Sequence, residues 1–249
     1  MSAPRFLADD VDPAGGEIAL TADESHHLAR VLRLRAGDEV VVFDGRGREC
    51  RAVVIRSDHR RASVRVIEAL TPAPEPQVPV VLVQSVLKGD KMDGAIRDAT
   101  MAGVVRIAPV VTGRSQIKSS ALDRSHALER WHRVAIASAK QCRRARLPVI
   151  DAPKSFADWV AEGFDGLRLL LAEPEASDAS VRSLRSVLDG SAPAAVACIV
   201  GPEGGWSIEE RAVAVRAGCV PVSLGAMTLR ADAVGLVAVS LVHFAFDRD

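Results

Sequence analysis

Residues Ile199 to Arg211 read IVGPEGGWSIEER, a spacing suited to holding a small molecule. An apolar strand, Ala194 to Val200, runs into a turn containing Gly201, Pro202, Glu203, Gly204 and Gly205. A helix follows, opened by Ser207 with Glu210 three residues on, the pattern of a capping box. Glycines there let the backbone reverse and approach a ligand closely, and a helix start leaves N–H donors unpaired. Phosphate is the default ligand of such a start, but Glu203 inside the loop repels an anion. A neutral or cationic ligand carrying hydroxyls fits better. A second glycine turn lies in Ser223 to Val234, SLGAMTLRADAV, between a short apolar strand and a long apolar helix.

The elements that must position these turns are legible as a pattern. The runs Val80 to Val86, Val104 to Val111, Leu167 to Leu171, Ala195 to Val200 and Val220 to Leu224 are apolar throughout and alternate with helical segments. Strands covered on both faces read this way, and the alternation predicts a largely parallel α/β sheet. Ligands of such sheets sit beyond the carboxyl ends of the strands. Three loops therefore become the candidate site: Leu171-Ala172-Glu173-Pro174, Val200 to Gly205, and Leu224 to Arg230. No GxGxxG follows the first of these strands and no GxxxxGK[ST] occurs, which argues against dehydrogenase and P-loop chemistry.

Ahead of this region the segment Thr71 to Pro79, TPAPEPQVP, carries four prolines and marks a division. Before it, Thr21 and Glu24 predict a capping box for a short helix with Leu28, Val31 and Leu32 on one face. Strand-like runs follow at Glu39 to Phe43, Glu49 to Ile55 and Ser63 to Ile67, the first two joined by Asp44-Gly45, which favours a tight hairpin. The result is a small β-rich module with one helix.

The net charge of zero conceals an uneven distribution. Residues 30–65 hold ten arginines against five acids, residues 106–154 have a net charge of +8, and residues 155–249 a net of −6. Charge runs are usually solvated faces; two basic segments facing one groove form an RNA footprint instead. Cys50, Cys142, Cys198 and Cys219 are scattered without a CxxC pair or a matching His spacing, so no metal is expected and buried, inert thiols are the ordinary reading. Asp9, Asp10 and Asp12 stand where a secretory leader would be basic and apolar, and Ala233 to Phe246 is too short and too polar for a membrane span. A cytoplasmic protein without membrane attachment is expected.

With the two glycine turns taken together, the chain resembles the SPOUT superfamily of S-adenosylmethionine-dependent RNA methyltransferases, specifically the bacterial 16S ribosomal RNA (uracil-N3)-methyltransferase family. The resemblance covers essentially the whole length and includes HHLARVLRLRAGDEV, KGDKMDGAI and KQCRRARLP. It implies a PUA-like RNA-binding β-barrel over residues 1–71, a proline-rich linker over 72–79, and a trefoil-knotted methyltransferase domain over 80–249. It also implies methylation of uridine N3 in 16S ribosomal RNA of the small subunit, and a homodimer. S-adenosylmethionine would be held at Leu171, Ala172, Glu173, Val200, Gly201, Pro202, Glu203, Gly204, Gly205, Leu224, Gly225, Leu229 and Arg230. Where the family reads Arg-x-Glu-Thr-Ala, this chain has Arg230, Ala231, Asp232, Ala233 and Val234, a carboxylate one methylene shorter.

Loss of the uracil N3 proton spreads negative charge onto the carbonyl oxygens, and a fixed guanidinium beside them stabilises it. Arg230 is the candidate, with a structural ion pair to Asp232 as the alternative. Asp232 and Glu203 are the available carboxylate bases, each needing hydrogen-bond reach; Glu203 can instead hold a loop amide, and water can take the proton. Arg5, Arg30, Arg33, Arg143 and Arg144 are candidate phosphate contacts. Trp206 can stack on a base, although packing is the commoner fate of a tryptophan. A methyltransferase of the same fold acting on another RNA, and an RNA-binding protein without turnover, remain the alternatives.

Overall fold

The computed structural model describes residues 3–116, 126–173 and 180–247. Pro174 of the first candidate loop, and residues 117–125 of the basic segment 106–154, lie outside them. The chain forms two compact units, Met1–Pro74 with Ile136–Leu147, and Glu75–Ala135 with Pro148–Asp249.

In the first unit, alternating burial along the strands builds a one-sided sheet. Strands β1 (Arg5–Leu7), β2 (Gly16–Ala19), β3 (Glu39–Phe43), β4 (Glu49–Arg56) and β5 (Ser63–Ala69) pair in the order β1-β3-β4-β5-β2, with only β1 and β3 parallel. Val40, Val42, Ala52, Val54 and Val64 bury one set of alternate positions with Phe6 and Leu28. Helix α1 (Ala22–His26) starts as expected, with the Thr21 hydroxyl accepting the Glu24 amide at 3.3 Å. The box is only half formed, because the Glu24 carboxylate accepts from the Lys140 ammonium instead. The chain then widens into a π turn over His27–Val31. That turn breaks the 3.6-residue period, so Leu28 is buried while Val31 and Leu32 are 61% and 39% exposed, against the single apolar face expected.

Two arginines expected to meet RNA prove to be core residues. Arg5 is 8% exposed: it donates to Glu49 and, at 3.2 Å, to the Arg144 carbonyl, with its guanidinium 4.9 Å from the centroid of the Phe43 ring. Arg144 is 6% exposed. Residues 136–147 return to the first unit, where Ala139, Ala145 and Leu147 pack with Phe43 and Leu7. That return covers Arg5 and Arg144 together, which charge counting along the sequence cannot reveal.

The second unit is built on parallel strands. They are β6 (Val80–Ser85), β7 (Arg106–Val111), β8 (Val149–Ile150), β9 (Lys154–Ser155), β10 (Leu167–Leu171), β11 (Arg182–Ser183), β12 (Val196–Val200) and β13 (Val220–Ser223). Their order is β11-β13-β10-β12-β6-β7-β8, with β9 also against β7. The period of two in a strand sends successive side chains to opposite faces, and both faces are filled. Val80 and Leu82 join one core with Ile96 of helix α2 (Asp90–Met101). Helix α3 (Ala127–Cys142) gives that core Trp131, and its residues from Ile136 on cluster with the first unit. Val81 and Val83 join a second core with Phe156 and Trp159 of helix α4 (Phe156–Ala161). After β11, helix α5 (Leu184–Leu188) adds Leu184 and Leu188 to the first core. Helix α6 (Ile208–Arg216) gives the second core Ala214, and helix α7 (Ala231–Phe246) gives the first Ala238, Val239 and Val242.

Among the described residues no helix is long and apolar enough to cross a membrane, and no group of three or more metal-ligating side chains gathers. Cys50, Cys198 and Cys219 are buried, and full burial pushes the Cys198 thiol up to about 12. Such thiols are not nucleophiles at neutral pH.

The Lys140–Glu24 pair ties the returning segment to the first unit with side chains only 16% and 10% exposed. Lys140→Ala leaves a carboxylate with little water and no cation, and we expect it to lower the unfolding free energy by about 3 kcal/mol in urea titration. A loss below 0.5 kcal/mol, the scale of an exposed pair, would contradict this account.

Candidate active site

Strand β10 pairs with β12 on one side and β13 on the other, so three neighbouring strands end together. The loops leaving them close on one cavity of about 380 Å³, within the range of small-molecule sites. Leu171, Ala172, Glu173, Val200, Gly201, Pro202, Glu203, Gly204, Gly205, Leu224, Leu229, Arg230 and Asp232 all line it. Gly225 does not: it stands beside the lining at φ 147° and shapes the turn that leads there. Lys91, Arg114, Met227 and Thr228 also line the cavity and were not among the expected residues. Lys91 sits in the KGDKMDGAI segment, a signal that was available; Arg114 follows β7 with no motif around it.

The first glycine turn is held from several directions. Trp206 donates its indole N–H to the Leu171 carbonyl at 2.9 Å and lies 4.6 Å, centroid to centroid, from Phe156. It is 9% exposed, a packing anchor. A Cβ on Gly201 would lie 3.1 Å from indole atoms, so the first glycine serves the fit of the turn against this ring. At Gly204 a Cβ would meet the Arg114 side chain at 3.3 Å, and Arg114 donates to the Gly204 carbonyl at 2.9 Å. The capping box at α6 is complete: Ser207 Oγ accepts the Glu210 amide at 3.1 Å and Glu210 accepts the Ser207 amide at 2.9 Å. The other Glu210 oxygen accepts the Gly113 amide at 2.8 Å, tying the loop after β7 to this helix start.

Glu203 takes Lys91 as its partner at 2.9 Å. Burial opposes its ionisation, but the Lys91 hydrogen bond and its own backbone amide outweigh burial and hold its pKa below the ordinary glutamate value. A carboxylate so held is a poor proton acceptor at neutral pH. Arg230 is the N-cap of α7, and its carbonyl accepts the amides of Ala233 and Val234 at 2.9 and 3.0 Å. Its guanidinium makes a two-point contact with Asp232, Nε to Oδ1 at 3.1 Å and Nη2 to Oδ2 at 2.8 Å. The shorter carboxylate therefore reaches in full, and both its oxygens are engaged with Arg230. Asp232 is placed to fix the arginine rather than to take a proton. The Arg230 side chain is 75% exposed, so this pair contributes little to stability.

A parallel sheet whose adjacent carboxyl-end loops enclose a cavity, preceded by a β-rich unit, defines a class as well as a site. The model of an RNA methyltransferase domain matches residues 73–243, and that of an RNA methyltransferase PUA domain matches residues 20–67. A relative from Synechocystis, ribosomal RNA small subunit methyltransferase E, is 33% identical over 234 residues, covering 91% of this chain and 72% of its own. A protein from Legionella pneumophila, solved with the cofactor SAM bound, superposes with TM-score 0.90 at 26% identity over 99% of both chains. Ribosomal RNA small subunit methyltransferase E from Neisseria gonorrhoeae, solved with S-adenosyl methionine, superposes with TM-score 0.87 at 26% identity over 96% of both. The chain belongs to the ribosomal RNA small subunit methyltransferase E family.

Gly201→Ala drives a methyl into the indole, and such overpacking costs about 1–3 kcal/mol. We expect a lower Tm than for Gly204→Ala, whose neighbour is a side chain on an exposed loop. Equal Tm values for the two variants would mean that the indole does not fix the turn.

Proposed function

We propose that the protein is an S-adenosylmethionine-dependent methyltransferase acting on N3 of a uridine in 16S ribosomal RNA, and that residues 1–71, completed by residues 136–147, form its RNA-binding module. The observation that carries this reading is the convergence of three carboxyl-end loops on one cavity with Arg230 fixed at the start of α7 by Asp232. The cavity suits the cofactor chemically, with backbone groups at two glycine turns for adenine and ribose and the Glu173 carboxylate for a cation. S-adenosylmethionine, when bound, supplies an electrophilic methyl on a sulfonium. Held there, it would supply the methyl that N3 takes up, and the N3 proton of the uridine would pass to water.

The chain's own contributions are position and charge. Backbone groups of Leu171–Glu173, Val200–Gly205, Leu224 and Leu229 would orient the cofactor, with Gly225 shaping the second turn beside them, and in-line placement accounts for much of the barrier reduction. Arg230 faces the imide oxygens as their negative charge develops. The uridine must leave its stack to reach the methyl, which unpaired RNA does at low cost. Arg30, Arg33 and Arg143, all exposed, are phosphate contacts in this reading.

The working assembly in this reading is a homodimer with the active site near the subunit contact. Helix α7 supports it: Asp232 and Val234 line the cavity, and Val237, Leu241 and Phe244 then follow at i, i+4 and i+7 with exposures of 36%, 39% and 87%. An apolar stripe of this kind is a contact surface. Phe244→Glu with Leu241→Glu is expected to give a monomer in sedimentation equilibrium; an unchanged mass for the parent and the variant would remove this stripe from the contact.

Arg230→Ala is expected to cut methyl transfer to small-subunit RNA by ~10²–10³, a loss of about 3 kcal/mol of transition-state stabilisation. Cofactor affinity by calorimetry should stay within a few fold. Mass mapping of 16S RNA after reaction with wild-type protein should locate a methyl on uracil N3. Methylation of another RNA alone would shift the reading to a different substrate, and near-normal turnover of the variant would remove Arg230 from the mechanism.

A further inference from the structure

The first unit carries a group of arginines that lies within the two basic segments but is not among the five candidate phosphate contacts or the cavity lining. The loop 44–48 between β3 and β4 presents Arg46 and Arg48, and the returning segment presents Arg146; all three are exposed. The expected tight hairpin at Asp44-Gly45 is a five-residue loop instead. One Asp44 oxygen accepts both the Arg46 amide at 2.7 Å and the Arg48 amide at 3.0 Å. Backbone bonds stitch the two segments together, Gly47 N–H to the Ala145 carbonyl at 3.1 Å and Leu147 N–H to the Gly45 carbonyl at 2.9 Å. The Arg146 guanidinium lies over Gly47, where a Cβ would sit 3.0 Å from Nε, and φ of 113° there independently demands glycine.

Three guanidinium-bearing residues are thus mounted on one framework held by backbone bonds. Among the described residues none of the three has a carboxylate within salt-bridge distance. The nearby acid, Asp44, turns one carboxylate oxygen to the loop amides and makes no ion pair with the three. Like charges held at close quarters repel one another unless an anion neutralises them, and a fixed arginine fork matches phosphate geometry. The opposite end of β4 differs. There the loop 57–62 also bears exposed arginines, Arg60 and Arg61, but Asp58 pairs with Arg56 at 3.4 Å, and the segments bonded to the loop do so through Leu20, Ser25 and Leu34, none of them a cation.

We propose that Arg46, Arg48 and Arg146 form a preformed phosphodiester-binding surface that grips the RNA backbone at the end of the first unit defined by loop 44–48 and residues 145–147. This rests on the reading of the protein as an RNA methyltransferase and specifies where its substrate's backbone is held. The contacts are to phosphate, so they add affinity and register without reading bases.

The test is binding of a fluorescein-labelled single-stranded RNA fragment of 16S RNA, by anisotropy, at several salt concentrations. Each phosphate contact on a single strand contributes roughly 0.7 to the slope of log K against log salt. The triple variant Arg46→Gln, Arg48→Gln, Arg146→Gln should flatten the slope by about 2, with cofactor affinity and Tm unchanged. Arg146→Lys, which keeps the charge and the backbone bonds, should retain the wild-type slope. Arg60→Gln with Arg61→Gln should leave it unaltered. An unchanged slope in the triple variant while the wild type binds RNA, or an equal loss in the Arg60, Arg61 variant, overturns this surface and leaves the methyltransferase reading intact. Absence of salt-dependent RNA binding by the wild type overturns both.

Discussion

Strand β10 is paired in parallel on both sides, Leu169 opposite Cys198 and Val220, Leu170 opposite Ile199 and Pro221. Parallel pairing sends all three chains out of the sheet at the same end. The loops after Leu171, Val200 and Ser223 therefore cannot avoid one another. The indole of Trp206 then fixes the spacing between two of them through the Leu171 carbonyl, and the Ala172 amide donates to the Val222 carbonyl at 2.9 Å across the other pair. The cavity is a product of strand order, and the glycine turns leave backbone groups open to it between the side chains of Lys91, Arg114 and Arg230.

Charge is used in this molecule chiefly to hold things in place. Arg5 with Glu49 and Lys140 with Glu24 are nearly sealed from water, so their attraction is strong but costly to leave half made. Lys91 with Glu203 and Arg230 with Asp232 stand at the cavity, partly open to solvent. There the gain in stability is small and the geometric effect is the important one: each partner restricts where the other can point. A guanidinium already oriented by two hydrogen bonds loses less freedom when substrate charge develops beside it.

The sheet strands and the glycine turns were legible because their signals are local. Glu39–Phe43 and Leu167–Leu171 fall where the apolar pattern puts them, and the Ser207–Glu210 box forms in both directions. Strands β1, β2, β8, β9 and β11 span two to four residues, too few for any period to register. Destination was the harder property to read. Arg5 and Arg144 are 139 residues apart and bury each other, while Arg146, two residues further on, is exposed. Arg114 reaches Gly204 across 90 residues. Such contacts depend on how the chain returns, and no window of sequence contains both partners. The family resemblance carried the expected cofactor positions, but it could not tell a glycine that faces a ligand from one that accommodates an indole, as at Gly201.

The first compact unit is not a contiguous stretch of chain, since Ile136–Leu147 belongs to it. During synthesis the first seventy-four residues emerge early, yet they lack the Lys140 that neutralises Glu24 and the Ala139 and Ala145 that cover Phe43. Their own sheet can begin to pair, but one flank of its core stays wet until residue 147 has left the ribosome. A domain that is N-terminal in sequence is therefore late to be completed in time. Long-range closure of this sort is slow relative to local pairing. It also means that a fragment ending at the proline-rich segment exposes Phe43, leaves Glu24 without Lys140 and takes the Arg144 carbonyl from Arg5, so the functional piece of this chain cannot be cut there.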